Sequence, residues 1–242
     1  MYADRGSATL LADVFEPAER HFLRPAVLCI HGGGWVSGDK SYMHEVADLL
    51  ANEGFVAICP QYRFAPAHRF PAAVEDVQAC VAYFRAHSEE FGIDSSRMAS
   101  LGNSSGGHLA AMAGLTCGLQ AVVDICGISD LVHAQGQHYA IGAAFVFEFL
   151  GATPDEAPQR YAEASPIQFV GKEAPPFLIV HGDQDDVVPI EQSEWLRDAL
   201  ANAGAKVEYH ALAGESHSFS YGAWSTIEAL FIDFLKRTLR HE

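Results

Sequence analysis

A chain of 242 residues that is 49% hydrophobic and 19% charged carries enough apolar material for one sizeable core, and a single α/β domain over residues 1–242 is expected. Fifteen lysines and arginines against thirty-one aspartates and glutamates give a formal charge of −16, which repels phosphate backbones, excludes a basic nucleic-acid-binding stripe and suits a neutral or cationic small substrate. No apolar run approaches the ~18 residues of a membrane span, Met1–Gly6 lack the apolar core of a secretory signal, and five cysteines without CxxC spacing read as reduced core thiols, so a cytoplasmic protein with no membrane partner, metal or cofactor is expected.

In chain order, Thr9 to Phe15 reads as a strand closed by Pro17. Ala26 to Ile30 is a continuous apolar run of the kind buried on both faces of a parallel sheet, and it ends directly in His31-Gly32-Gly33-Gly34-Trp35. Three successive glycines at a strand's C-terminal end remove every β-carbon from the turn and let backbone N–H groups approach a ligand, although a flexible loop has the same composition. Helical periodicity runs from Tyr42 to Asn52 with Gly54 as its stop, Phe55 to Cys59 is a further buried strand, and Pro71 suits the first turn of a helix reaching about Glu90. Arg63 and Asp76 read as a structural pair across that connection.

Arg97 to Leu101 is strand-like and leads into Gly102-Asn103-Ser104-Ser105-Gly106-Gly107-His108, followed by helical sequence from Leu109 to Leu115. In Gly-x-Ser-x-Gly, small residues two before and two after the serine let a strand turn abruptly into a helix and hold the hydroxyl clear of the chain. Ser104 has glycine at both offsets, whereas Ser105 would have Asn103 at the first, so the register selects Ser104. After a strand at Gln120 to Cys126, alternation breaks down: residues 127–175 read as an irregular lid insertion, with an aromatic patch at Phe145, Phe147 and Phe149 that suits pocket, core or a homo-oligomer interface. A strand from Pro176 to Val180, a helix near Ile190 to Ala203, a strand from Lys206 to His210 and a helix from about Trp224 to Leu239 complete the chain. Strands alternating with helices imply a mostly parallel central sheet covered on both faces, with binding at the C-terminal strand ends.

A serine hydroxyl needs a base, and of twelve histidines His217 is favoured because it lies in a loop after the last strand and before the last helix, which reaches that same edge. His108 should project from its helix flank, and His31 and His181 suit hydrogen-bonded scaffold. The base needs a carboxylate in turn, and His181-Gly182-Asp183-Gln184-Asp185-Asp186 offers three, of which at least one is expected to cap the following helix.

These motifs, in this order, resemble the α/β-hydrolase superfamily, whose triad runs Ser, acid, His. His31 to Trp35, Tyr62-Arg63-Phe64-Ala65-Pro66 and Phe70 to Asp76 resemble the hormone-sensitive-lipase-like esterases. The short N-terminus and the segment from His181 to Pro189 are more similar to the small acetylesterase and feruloyl-esterase-like branch, and also to prolyl-oligopeptidase-type peptidases. In those relatives the acid matches the first of the paired aspartates, which implies Asp185, with Asp186 as the alternative. The resemblance further implies an oxyanion hole from the backbone N–H groups of Gly32, Gly33 and Ser105, with Gly34 a further candidate. It departs from the lipase-like pattern at Asn103-Ser104-Ser105, where Asp-Ser-Ala is common, and in lacking an N-terminal cap extension. The expected function is a serine carboxylesterase acting on a short-chain, small-molecule ester. A peptidase or amidase with the same triad, or a silent hydrolase-fold binding protein, is the alternative. Trp35 and the phenylalanines at 145–149 suit either the acyl pocket or ordinary core packing.

Overall fold

The computed structural model describes residues 1–6, 8–18, 22–134 and 140–239. Its strands are β1 (Ala3–Asp4), β2 (Thr9–Leu10), β3 (Ala12–Phe15), β4 (Arg24–Ile30), β5 (Val56–Pro60), β6 (Ile93–Asn103), β7 (Ala121–Ile125), β8 (Phe177–Gly182) and β9 (Val207–Leu212). Its α-helices are α1 (His44–Asn52), α2 (Ala72–Ala86), α3 (Ser105–Thr116), α4 (Leu131–Ala134), α5 (Ala140–Leu150), α6 (Pro158–Glu163), α7 (Glu191–Ala203) and α8 (Tyr221–Leu239), with short 3-10 turns at Lys40–Met43 and Pro166–Phe169. Seven strands form one sheet in the order β3-β5-β4-β6-β7-β8-β9, and only β3 is antiparallel to its neighbour. This is the mostly parallel sheet covered on both faces that the alternation of elements predicts, in the α/β-hydrolase arrangement that the resemblance of the motifs implies. The run from Thr9 to Phe15 is split: Thr9–Leu10 pairs with β1 in a small ribbon, and only Ala12–Phe15 joins the main sheet.

Burial on both faces follows from the two-residue period of the apolar strands. Leu28, Ile30, Ile58, Val122 and Ile179 project to one face, against α2, α3 and α7. Val27, Cys29, Ala57, Val123 and Val180 project to the other, against α1 and α8. The connection from β5 to α2 is pinned by Arg63, which donates two hydrogen bonds to the buried Asp76 carboxylate at 2.7 and 2.8 Å, while Arg5 Nε donates a third at 3.0 Å. Among the described residues no helix is long and apolar enough to cross a membrane.

The segment between β7 and β8 differs from expectation: it is not irregular but largely helical, holding α4, α5, α6 and a 3-10 turn, while residues 135–139 lie outside the described residues. Phenylalanine at every second position from 145 to 149 imitates the period of a strand. Among the described side chains, α5 buries Val146, Phe149 and Leu150, the i, i+3, i+4 set of a helix, with Phe147 left 44% exposed.

Asp124 on β7 is buried beneath the site edge and its Oδ1 accepts the Gly127 N–H at 2.9 Å. Burial pushes its carboxyl up to about 6, against the opposing influence of His181. A carboxyl whose pKa is raised on folding binds more protons in the native state, so its contribution falls as pH rises between the ordinary carboxylate range and about 6. The expected loss is on the order of 3 kcal/mol across that window. Urea unfolding of Asp124→Asn should therefore show a smaller drop in stability between pH 4 and pH 7 than the parent, and an unchanged drop would assign the pH dependence elsewhere.

Candidate active site

Because β4, β6, β8 and β9 run parallel, the loops leaving their C-terminal ends meet at one edge of the sheet. Ser104 stands between β6 and α3 with φ 55° and ψ −125°, a conformation that costs an L-residue energy and persists only when its surroundings dictate it. Its N–H donates to the Ile125 carbonyl at 2.8 Å, and its own carbonyl accepts the His108 N–H at 3.0 Å. The flanking glycines are a steric requirement of this turn. A β-carbon on Gly102 would lie 2.2 Å from the Gly106 carbonyl oxygen, and one on Gly106 would lie 2.1 Å from that of Ile30.

The Ser104 hydroxyl is 3.0 Å from His217 Nε2, and His217 Nδ1 is 2.7 Å from Asp185 Oδ2. With Nδ1–H donating to the carboxylate, Nε2 is left as the acceptor facing the serine hydroxyl. The carboxylate is anchored on its other side. Its Oδ1 accepts the N–H groups of Val187 at 2.9 Å and Val188 at 2.8 Å, and His181 Nε2 approaches Oδ2 at 3.1 Å. Burial alone would raise the Asp185 pKa, but the hydrogen bonds from His181 and His217 outweigh it and hold the carboxyl well below the usual carboxylate range. Asp186 is exposed and belongs to no such network.

The acids after β8 divide their work in a way the sequence reading missed. The expectation that one of them caps the next helix is incorrect: α7 has Ile190 at its N-cap position and no side-chain cap. Asp183 instead accepts the Gly214 N–H at 2.7 Å, and Gln184 N–H donates to the Glu215 carbonyl at 2.9 Å, tying the loop that carries His217 to the end of β8. Glu215 closes the same loop by accepting from the Ser220 N–H and hydroxyl, both at 2.7 Å. Acids at short spacing within a loop were the available signal, but their partners lie some thirty positions away. Cys126, with φ 46°, is a buried core thiol that also borders the site. Its sulfur lies within 4.8 Å of ligand atoms of Asp185 and His217, and burial, with the Asp185 charge beside it, raises its pKa and keeps it a neutral thiol.

Gly32, Gly33 and Gly34 border the cavity in front of Ser104. Gly33 and Gly34 have φ of 125° and 61°, and the Gly33 carbonyl accepts the N–H groups of Val36 and Ser37, which curls the loop back toward the serine. Beneath it, the Tyr62 hydroxyl donates to the His31 carbonyl at 2.9 Å, and the two rings stack with centroids 4.5 Å apart. Ser105 is the first residue of α3, a position whose N–H has no acceptor within its helix. Trp35 borders the cavity, yet it is only 1% exposed: its ring stacks on Phe149 at 4.4 Å and its Nε1 donates to His108 Nδ1 at 3.1 Å. His108 in turn donates from Nε2 to the Ala164 carbonyl, and burial lowers its pKa to about 4, so it is neutral scaffold. Of the three phenylalanines, Phe145 borders the cavity and sits against Gly34, where a β-carbon would come within 2.6 Å of the ring.

The cavity has a volume of about 820 Å³. Its lining includes Ile128, Phe145, Val146, Val187 and Val188, which pack with the α2, α3 and α7 core, and Tyr42, Glu45, Tyr221, Trp224 and Glu228, which come with Met43 and Val46 from the turn before α1, from α1 and from α8.

Known proteins similar to this chain share its family and fold. The family model described as BD-FAE matches residues 12–200. Esterase LipC of Mycobacterium tuberculosis is 35% identical over 213 residues, which is 81% of this chain and 53% of LipC. The chain spans about half the length of the curated relatives it matches. Among solved structures, a truncated form of a carbohydrate esterase from gut microbiota superposes with a TM-score of 0.85 at 29% identity, covering 94% of this chain and 90% of that one. The propionate-bound esterase Est2 of the planctomycete Thermogutta terrifontis also reaches a TM-score of 0.85, at 23% identity and over 100% and 94% of the two chains, a likeness of fold.

Proposed function

Since the chain belongs to the BD-FAE family and has the α/β-hydrolase fold, we propose that it is a serine carboxylesterase that cleaves short-chain acyl esters through an acyl-enzyme. The observation that carries this reading is the continuous hydrogen-bonded chain from the Ser104 hydroxyl through His217 to Asp185, with links of 3.0 and 2.7 Å. His217 Nε2 takes the hydroxyl proton as Ser104 Oγ bonds the ester carbonyl carbon. The bond to the alcohol oxygen then breaks, and the proton on Nε2 passes to that oxygen. Water repeats the sequence on the acyl-enzyme and frees the acid. Asp185 holds the ring in the productive tautomer and stabilises the cation formed at each step.

The charge that develops on the carbonyl oxygen is held by the N–H groups of Gly32, Gly33 and Ser105. Donors already aimed at that position are worth roughly 10² to 10³ each in rate, and the N-terminal end of α3 adds a favourable dipole. The acyl group occupies the apolar side of the cavity, closed by α5 as a lid wall, where Phe145 against Gly34 limits chain length. Five cysteines free of disulfides support a cytoplasmic location.

The test is an acyl-chain series of p-nitrophenyl esters from C2 to C12, together with an acyl-peptide. The expected optimum lies between C2 and C6. An optimum at C8 or beyond would remove the short-chain element of the proposal, and cleavage of the acyl-peptide without cleavage of any ester would put a peptidase in its place.

A further inference from the structure

The two sides of the cavity come from opposite faces of the sheet. Ile128, Val146 and Val188 belong to the core on the α2, α3 and α7 face. Met43, Val46 and Trp224 belong to the core on the α1 and α8 face. His217 must hand its proton to the departing oxygen, so the alcohol leaves along the histidine's side. The residues that line the cavity directly after His217 in the chain are Ser218, Tyr221, Trp224 and Glu228, while the 3-10 turn before α1 adds Tyr42 and the first turn of α1 adds Glu45.

The charged residues of this lobe are both acids. Among the described residues lining the cavity there is no lysine or arginine, and neither Glu45 nor Glu228 has an ion-pair partner there. Three aromatic residues line the same cavity, Tyr42 and Tyr221 71% and 90% exposed and Trp224 half-buried, while Glu45 is exposed and Glu228 half-buried. Aromatic faces attract cations through their quadrupole, and two carboxylates lining the same cavity add to that attraction, in a molecule whose formal charge of −16 already draws cations to it. A neutral alcohol gains little from two carboxylates, and an anionic one is repelled by them.

We infer that Tyr42, Glu45, Tyr221, Trp224 and Glu228 form an alcohol-side subsite that selects esters of cationic alcohols, such as those bearing a quaternary or primary ammonium group. The inference rests on the esterase reading above and deepens it. The subsite sets specificity; it takes no part in bond making.

The test compares kcat/KM for acetylcholine with that for its uncharged isostere, in which a tert-butyl group replaces the trimethylammonium. The expected ratio is on the order of tenfold in favour of the cation at low salt, shrinking as ionic strength rises. In Glu45→Gln/Glu228→Gln the ratio should fall toward unity. Because both esters are read on the same protein, the ratio is independent of how much of the variant folds. A ratio at or below unity in the parent, or a preference that survives both substitutions, would overturn the inference. Calorimetric titration of choline against the matching tert-butyl alcohol on Ser104→Ala protein reads the lobe without chemistry. Choline binding about tenfold tighter supports the subsite, and equal binding overturns it. A parent protein that cleaves neither ester, nor p-nitrophenyl acetate, counts against the esterase reading alone.

Discussion

Replacing Ser104 with alanine should lower kcat/KM on p-nitrophenyl acetate by at least about 10⁴-fold and abolish labelling by a fluorophosphonate probe. Replacing the adjacent Ser105 should leave most activity and all labelling intact. The two serines are chemically identical neighbours, and the backbone separates their roles. Ser104 is forced to φ 55° at the tip of the turn, where its hydroxyl meets His217 Nε2. Ser105 begins α3 and is fully buried, and its proposed contribution is the peptide N–H, which alanine retains. Equal losses from the two substitutions would show that the nucleophile has been assigned to the wrong register.

Asp185→Asn should cost about 10³ to 10⁴-fold in kcat, whereas Asp186→Asn should change it by less than about twofold, as is usual for an exposed side chain without partners. The size of the first effect follows from the fixed surroundings of the carboxylate. Oδ1 accepts two backbone N–H groups, from Val187 and Val188, so an asparagine at this position must keep its carbonyl oxygen there. Its NH₂ group is then turned toward His217 Nδ1 and His181 Nε2. A donor facing Nδ1 forces the ring proton onto Nε2, which can no longer accept from Ser104. Steady-state kinetics with circular dichroism as a check on folding decides the matter, and comparable losses from both asparagine variants would refute the assignment of Asp185. The depressed pKa of Asp185 has a second consequence. A carboxylate whose pKa is lowered on folding contributes stability that is fully present above the ordinary carboxylate range and is lost as pH falls through its folded value, so the network survives mild acid.

Much of the site was legible from particular residues. Gly102 and Gly106 around Ser104 are required by contacts under 2.3 Å that any β-carbon would make, so a steric necessity was written as a short local motif. The run from Ala26 to Ile30 announced a strand buried on both faces, and it is one. The choice between Asp185 and Asp186 depended on resemblance, because adjacent acids in a loop look alike until the loop is folded. Trp35 illustrates the opposite difficulty: a large aromatic beside a glycine loop suits a pocket or a core equally well, and only its stacking on Phe149, more than a hundred positions distant, places its ring in the core. The helix α5 escaped notice because its phenylalanines alternate as a strand's do, while its buried face is set by what it packs against.

By itself the sequence determined the alternation of strands and helices and the tight turn at Ser104, because backbone sterics and apolar periodicity act over a few residues, and its resemblance to the α/β-hydrolases implied the order Ser, acid, His. Only the tertiary structure decided which carboxylate meets the imidazole, that Asp183 and Glu215 hold the histidine loop, and that the two sides of the cavity differ in charge. Those outcomes depend on contacts between segments that the sheet brings together and that carry no local imprint, since a side chain's partner across a cleft is set by register and packing rather than by its neighbours in the chain.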